Sequence, residues 1–177
     1  MSGLPKYIKI ITIALLAVIL SSCAQTANLE PQSDTSLLIN TFKNYSVRYP
    51  VGYDLAIYSE TGLALVKGSL LATDQPRADI NIMSTSSMTL EMAVAELVAT
   101  YPGQSIKQSS IVIDGVPAVM LDAVPGQQVN RIVLLIHNDA LIKLNFMPAD
   151  PNAGETYQEM ELLYKTVIES LDFDPLP

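Results

Sequence analysis

From residue 41 onward, apolar and polar side chains mostly alternate, as they do in half-buried strands. Tyr45, Val47 and Tyr49 alternate with Ser46 and Arg48 and stop at Pro50. Residues 53–58 and 63–66 predict a second and a third strand around the Ser59 to Gly62 turn. Ala78, Ile80 and Ile82, alternating with Asp79 and Asn81, predict a fourth. The period then changes: Leu90, Val94, Leu97, Val98 and Tyr101 share one face of a helix that Thr89 caps and Pro102-Gly103 ends. Two hairpins follow. Strands over 111–113 and 116–122 meet at Asp114-Gly115, and strands over 129–137 and 140–146 meet at Asn138-Asp139. The second pair, RIVLLIH and LIKLNF, is the most apolar and is expected at the centre of the sheet. A last helix over 154–171 buries Tyr157, Met160, Tyr164, Val167, Ile168 and Leu171, and turns Glu155, Glu159 and Glu169 to water. Six to eight mostly antiparallel strands packed with two main helices make an α+β sandwich.

A different pattern precedes this one. Lys6 and Lys9 lead an apolar run over 10–20, too short to cross a bilayer and suited to a signal-peptide core. Leu20-Ser21-Ser22-Cys23 then brings small residues up to the chain's single cysteine. This stretch resembles the lipobox of bacterial lipoproteins, which implies cleavage before Cys23 and diacylglycerol on its thiol. An ordinary signal peptide would want A-x-A at the cleavage site, and the chain does not offer it. An uncleaved N-terminal anchor is the other alternative. Two or three acyl chains hold a protein to a membrane durably where one does not. The expected organisation is a leader over 1–22, a lipidated Cys23 with a flexible tether over 23–39, and a single domain over 40–175. Leu37, Leu38 and Ile39 are apolar enough to dock on that domain. The domain is expected at a cell membrane or outer membrane, facing the periplasm or the exterior.

Four motifs then point to a family. Tyr-x-x-x-Tyr-Pro-x-Gly-Tyr opens the domain at Tyr45, and Ile-Asp-Gly-Val-Pro-Ala follows over 113–118. Leu-Asn-Phe-Met-Pro spans 144–148, and Leu-Tyr-Lys-Thr-Val-Ile-Glu-Ser-Leu-Asp-Phe spans 163–173. In this order they resemble the PsbP/Mog1-like superfamily of α/β/α sandwiches, and its small bacterial lipoproteins in particular, over residues 41–173. The resemblance implies a non-enzymatic domain that binds or helps assemble other proteins. The Trp that often follows Pro-x-Gly in that family is Tyr53 here, and the chain has no Trp. This departure points away from the photosystem branch.

Charge and chemistry narrow the reading further. The chain carries a net charge of −8, which becomes −10 once Lys6 and Lys9 leave with the leader. Nucleic acid needs the opposite sign, so it is excluded as a partner, and the acidity favours solubility. A lone cysteine taken by lipid leaves no disulfide, so packing alone must hold the fold. His137 is the one histidine, and no G-x-S-x-G elbow accompanies it, so a hydrolase triad is not expected. Asp150, Asn152 and Glu161 match calcium-loop positions 1, 3 and 12, but Glu155 stands where the turn needs glycine. No phosphate loop, C-x-x-C or dinucleotide fingerprint occurs, and no catalytic residue, metal or cofactor is assigned. Arg131 opens an uncharged strand on the face of Val129 and Val133, so burial requires a partner, expected to be Asp122. The alternative is an anion contact at a pocket mouth. Tyr45, Tyr49, Tyr53 and Tyr58 cluster early in the domain, either as an aromatic contact surface or as packing for a sheet face. Tyr45, Tyr49, Tyr53 and Arg131 are the candidate contacts for an unidentified protein partner. The alternative function is a carrier lipoprotein with an apolar pocket between sheet and helix, consistent with 49% hydrophobic residues and seven methionines.

Overall fold

The computed structural model describes residues 34–175, apart from residues 42, 70 and 73. The leader, Cys23 and the first part of the tether lie outside the described residues. The described residues belong to one compact unit.

Its elements run β1 (Thr35–Asn40), β2 (Tyr45–Pro50), β3 (Asp54–Ser59), β4 (Gly62–Val66), β5 (Arg77–Ser84) and α1 (Leu90–Ala99). After these come β6 (Lys107–Ile113), β7 (Val116–Val124), β8 (Asn130–His137), β9 (Ala140–Met147), a 3-10 turn (Pro151–Ala153) and α2 (Glu155–Ser170). Seven strands form one antiparallel sheet in the order β3-β4-β5-β9-β8-β7-β6, while β1 and β2 pair separately. The two apolar strands β8 and β9 do sit centrally, β9 with three strands on either side.

Alternation along the strands sends side chains to two faces. Ile80, Val133, Leu135, Leu144 and Phe146 meet Met160, Leu163 and Val167 of α2 together with Tyr45 and Val47 of β2. Leu121, Ile132 and Leu134 point the other way, to Ala93 and Val94 of α1. The result is an α/β/α sandwich of the α+β class. A bulge in β7 between Leu121 and Val124, with Ala123 at φ +61°, brings Val124 onto the α1 face beside Leu121.

Three expectations are corrected. The tether does not run to residue 39. Residues 35–39 belong to β1, where Leu38 pairs with Val47 and Ile39 with Ser46, so the domain starts ahead of residue 40. TSLLIN shows no alternation because β1 is an edge strand, held by β2 and by one apolar contact face. The first strand of the Asp114-Gly115 hairpin is also longer than 111–113. It begins at Lys107, and its polar KQSS start is tolerated because β6 is an edge of the seven-stranded sheet. Finally, Ser46 is buried rather than outward, because its backbone exchanges hydrogen bonds of 2.8 and 3.0 Å with Asp172.

Candidate functional site

Arg131 sits on the α2 face of β8, with its side chain 12% exposed. Its Nε donates to Asp122 Oδ1 at 2.6 Å and its Nη1 to Glu161 Oε2 at 2.9 Å, and the guanidinium lies 4.5 Å from the centre of the Tyr164 ring. Burial pulls the Arg131 pKa down, but the hydrogen bonds to Glu161 and Asp122 outweigh it and leave the value raised. Glu161 responds in the complementary sense. Burial raises its pKa, while hydrogen bonds from Arg131 and Tyr157 prevail and hold it below the ordinary value. Both ends of the guanidinium are therefore committed within the fold. The pairing across β7 and β8 was legible in the sequence. The Glu161 arm was not, because the α2 register over the sheet is set by packing alone.

The four early tyrosines do not form one surface. Tyr45 is 2% exposed and belongs to the core, which removes it from any contact with a partner. Tyr49 and Tyr53 are half-buried against that core, and the Tyr53 hydroxyl reaches the Glu159 carbonyl at 3.5 Å. Tyr58 lies on the opposite sheet face and donates to Asn81 Oδ1 at 2.9 Å. It crosses Gly62, where an added Cβ would collide with its ring and stand 2.8 Å from Asn81 Oδ1.

His137 stacks on Phe173 with ring centres 4.7 Å apart and hydrogen-bonds Asn138 at 2.8 Å, an arrangement that closes the sheet end rather than activating a serine. Asp150 accepts from Asn152 N at 2.9 Å as the cap of the 3-10 turn, and Glu161 faces Arg131 instead of joining it. Among the described residues no group of three or more His, Cys, Asp or Glu is placed to hold a metal ion. No helix among them is long and apolar enough to cross a membrane.

The space between sheet and α2 is filled, since Met160, Leu163 and Val167 are fully buried there. The open volumes lie elsewhere. Helix α1 is short for the sheet it covers, and it leaves two depressions on its flanks. One, of about 560 Å³, is lined by Leu90, Val94, Val98 and Val119. The other, of about 320 Å³, is lined by Met83, Met88, Leu97 and Leu141. Met83, which lines the second, is 44% exposed. A third opening, of about 350 Å³, separates the β1–β2 hairpin from the β3–β4 hairpin. Sequence periodicity could not reveal these volumes, because it marks which face is apolar and not how much of that face is covered.

No protein-family model matches the sequence, and neither does any curated protein. The fold, however, is PsbP-like. The chain resembles cyanobacterial PsbP (CyanoP) from Synechocystis sp. PCC 6803 with a TM-score of 0.54 and 13% identity, over 88% of this chain and 99% of that one. A protein from Bacteroides thetaiotaomicron VPI-5482 matches with a TM-score of 0.47 and 10% identity, over 79% of this chain and 48% of that one.

Proposed function

We propose that this protein is a membrane-anchored extracytoplasmic lipoprotein whose PsbP-like domain is a non-catalytic accessory module that binds a protein partner. The observation that carries the binding role is the incompletely covered α1 face, with apolar depressions on both flanks of the helix and the exposed Met83 lining one of them. Exposed apolar ground of this kind marks interaction surfaces, and Met adapts readily to a partner's shape. The lipobox-like stretch ending at Cys23 and the PsbP-like fold support the rest of the reading. Two measurements test it. The intact mass of protein taken from the membrane fraction is expected to equal residues 23–177 plus diacylglycerol and acyl chains. A photoreactive side chain placed at Met83 or Ala95, one lining each depression, is expected to give a discrete crosslinked adduct in cells, and one at exposed Lys165 is not. Equal labelling from all three positions, or none from any, counts against the partner surface.

A further inference from the structure

We infer that the cleft between the β1–β2 and β3–β4 hairpins binds the acyl chain of a single-chain amphiphile whose head carries no net charge. Three observations lead there. The first is the lining: Leu63 and Ile80, 5% and 1% exposed, form the floor, and Leu38, Leu55, Ile39 and Ile57 form the walls. Ile39 and Ile57 are 54% and 75% exposed, so water meets apolar surface on both edge strands.

The second is the hydrogen bonding of that floor. Leu63 and Ile80 are partners in the β4–β5 ladder, so the floor offers no free backbone group to an occupant. An alkyl chain can lie on that floor without losing a hydrogen bond, whereas a peptide strand would have to find its partners on the edge of β3 rather than on the floor. Water gains little in such an apolar space. If a methylene takes the ~30 Å³ of a liquid water molecule, 350 Å³ holds roughly ten to twelve carbons.

The third is the rim. The turns at the open end supply Lys43 and Glu60, one charge of each sign, with Asn40, Thr41, Ser59 and Thr61 beside them. This rim suits a hydroxylated or zwitterionic head. A bare carboxylate would meet the net charge of −8 without a matching cation excess.

The test is calorimetric titration of the full chain carrying Cys23→Ser with monoacylglycerols of increasing length. Affinity is expected to rise roughly fourfold per methylene up to about twelve carbons and then to level off. Dodecanoate is expected to bind at least tenfold more weakly than the monoacylglycerol of equal length. Ile57→Glu is expected to weaken binding at least tenfold while leaving the thermal transition in place, since the side chain is mostly exposed. The membrane-purified protein separates two sources of the chain. Binding to both forms is the expected result and identifies a free lipid, whereas binding only to the Cys23→Ser form would mean that the protein's own anchor fills the cleft and would overturn the free amphiphile as occupant. Affinity independent of chain length, wild-type binding in Ile57→Glu, or preference for an apolar β-strand peptide would overturn the inference. The α1 face takes no part in this site, so its crosslinking result is independent.

Discussion

Arg131 carries the largest single electrostatic commitment in the domain. Removing it with Arg131→Met strands two carboxylates that are only 26% and 33% exposed. A fully buried broken pair costs ~3–5 kcal/mol, and partial exposure here reduces the expected loss to about 2–3 kcal/mol in urea unfolding. Adding Glu161→Gln to that variant is expected to restore part of it, because one unpaired charge is removed. The same pair sets an acid limit. Glu161 titrates in the native state below its ordinary value of 4.5, so its contribution is complete above that value. It is lost as pH falls through the lower native value, where protonation breaks the bond to Arg131. Stability measured from pH 6 to pH 3 is therefore expected to fall less steeply in Glu161→Gln than in the wild type. Asp79 works in the opposite sense: burial raises its pKa against the pull of Arg77 and Lys143, so its ionised form costs stability at neutral pH.

Elements begin and end here where short-range chemistry says they should. Thr89 caps α1 by accepting from Met92 N at 3.2 Å. Thr89→Ala is expected to cost ~1 kcal/mol, and the loss should appear as a lower urea midpoint at unchanged slope. The Asp114-Gly115 and Asn138-Asp139 turns both place two residues at positive φ, at +47° and +75° and at +47° and +57°. That is the geometry that lets a two-residue hairpin follow the strand twist. Only the first turn has glycine at its second position. Asp139→Gly is accordingly expected to raise stability by about 0.5 kcal/mol, since glycine adopts this conformation without a Cβ penalty. Elements at the sheet margins were less legible. β1 and the first half of β6 lack the alternation of half-buried strands, because an edge strand can be apolar or polar on either face and still pair on one side.

At the scale of the molecule, the sheet separates two unequal cores. Helix α2 and the β1–β2 hairpin close one face, while α1 covers only part of the other. Leu163→Ala, at a fully buried position of α2, is expected to cost ~3 kcal/mol. Val94→Ala, in the thinner layer under α1 and 8% exposed, is expected to cost about 1–1.5 kcal/mol. Thermal unfolding of the two variants measures this asymmetry, and equal losses would mean that the two layers are equally tight. The open volumes beside α1 and between the hairpins follow from the same inequality, because a ten-residue helix and a two-stranded hairpin cannot cover all of seven strands.

What could be read from the chain was whatever depends on neighbours a few residues apart. That includes the strand and helix periods, the Thr89 cap, the two tight turns and the central place of the most apolar strands. The Asp122 partner of Arg131 was also within reach, since adjacent strands of a hairpin bring such residues together. Which strand borders β5, where β1 docks, that Tyr45 is interior, and that Glu161 completes the Arg131 site all depend on residues tens of positions apart. Those choices follow from the packing of whole faces, which no local periodicity encodes, and the clefts that carry the functional proposals arise where that packing stops.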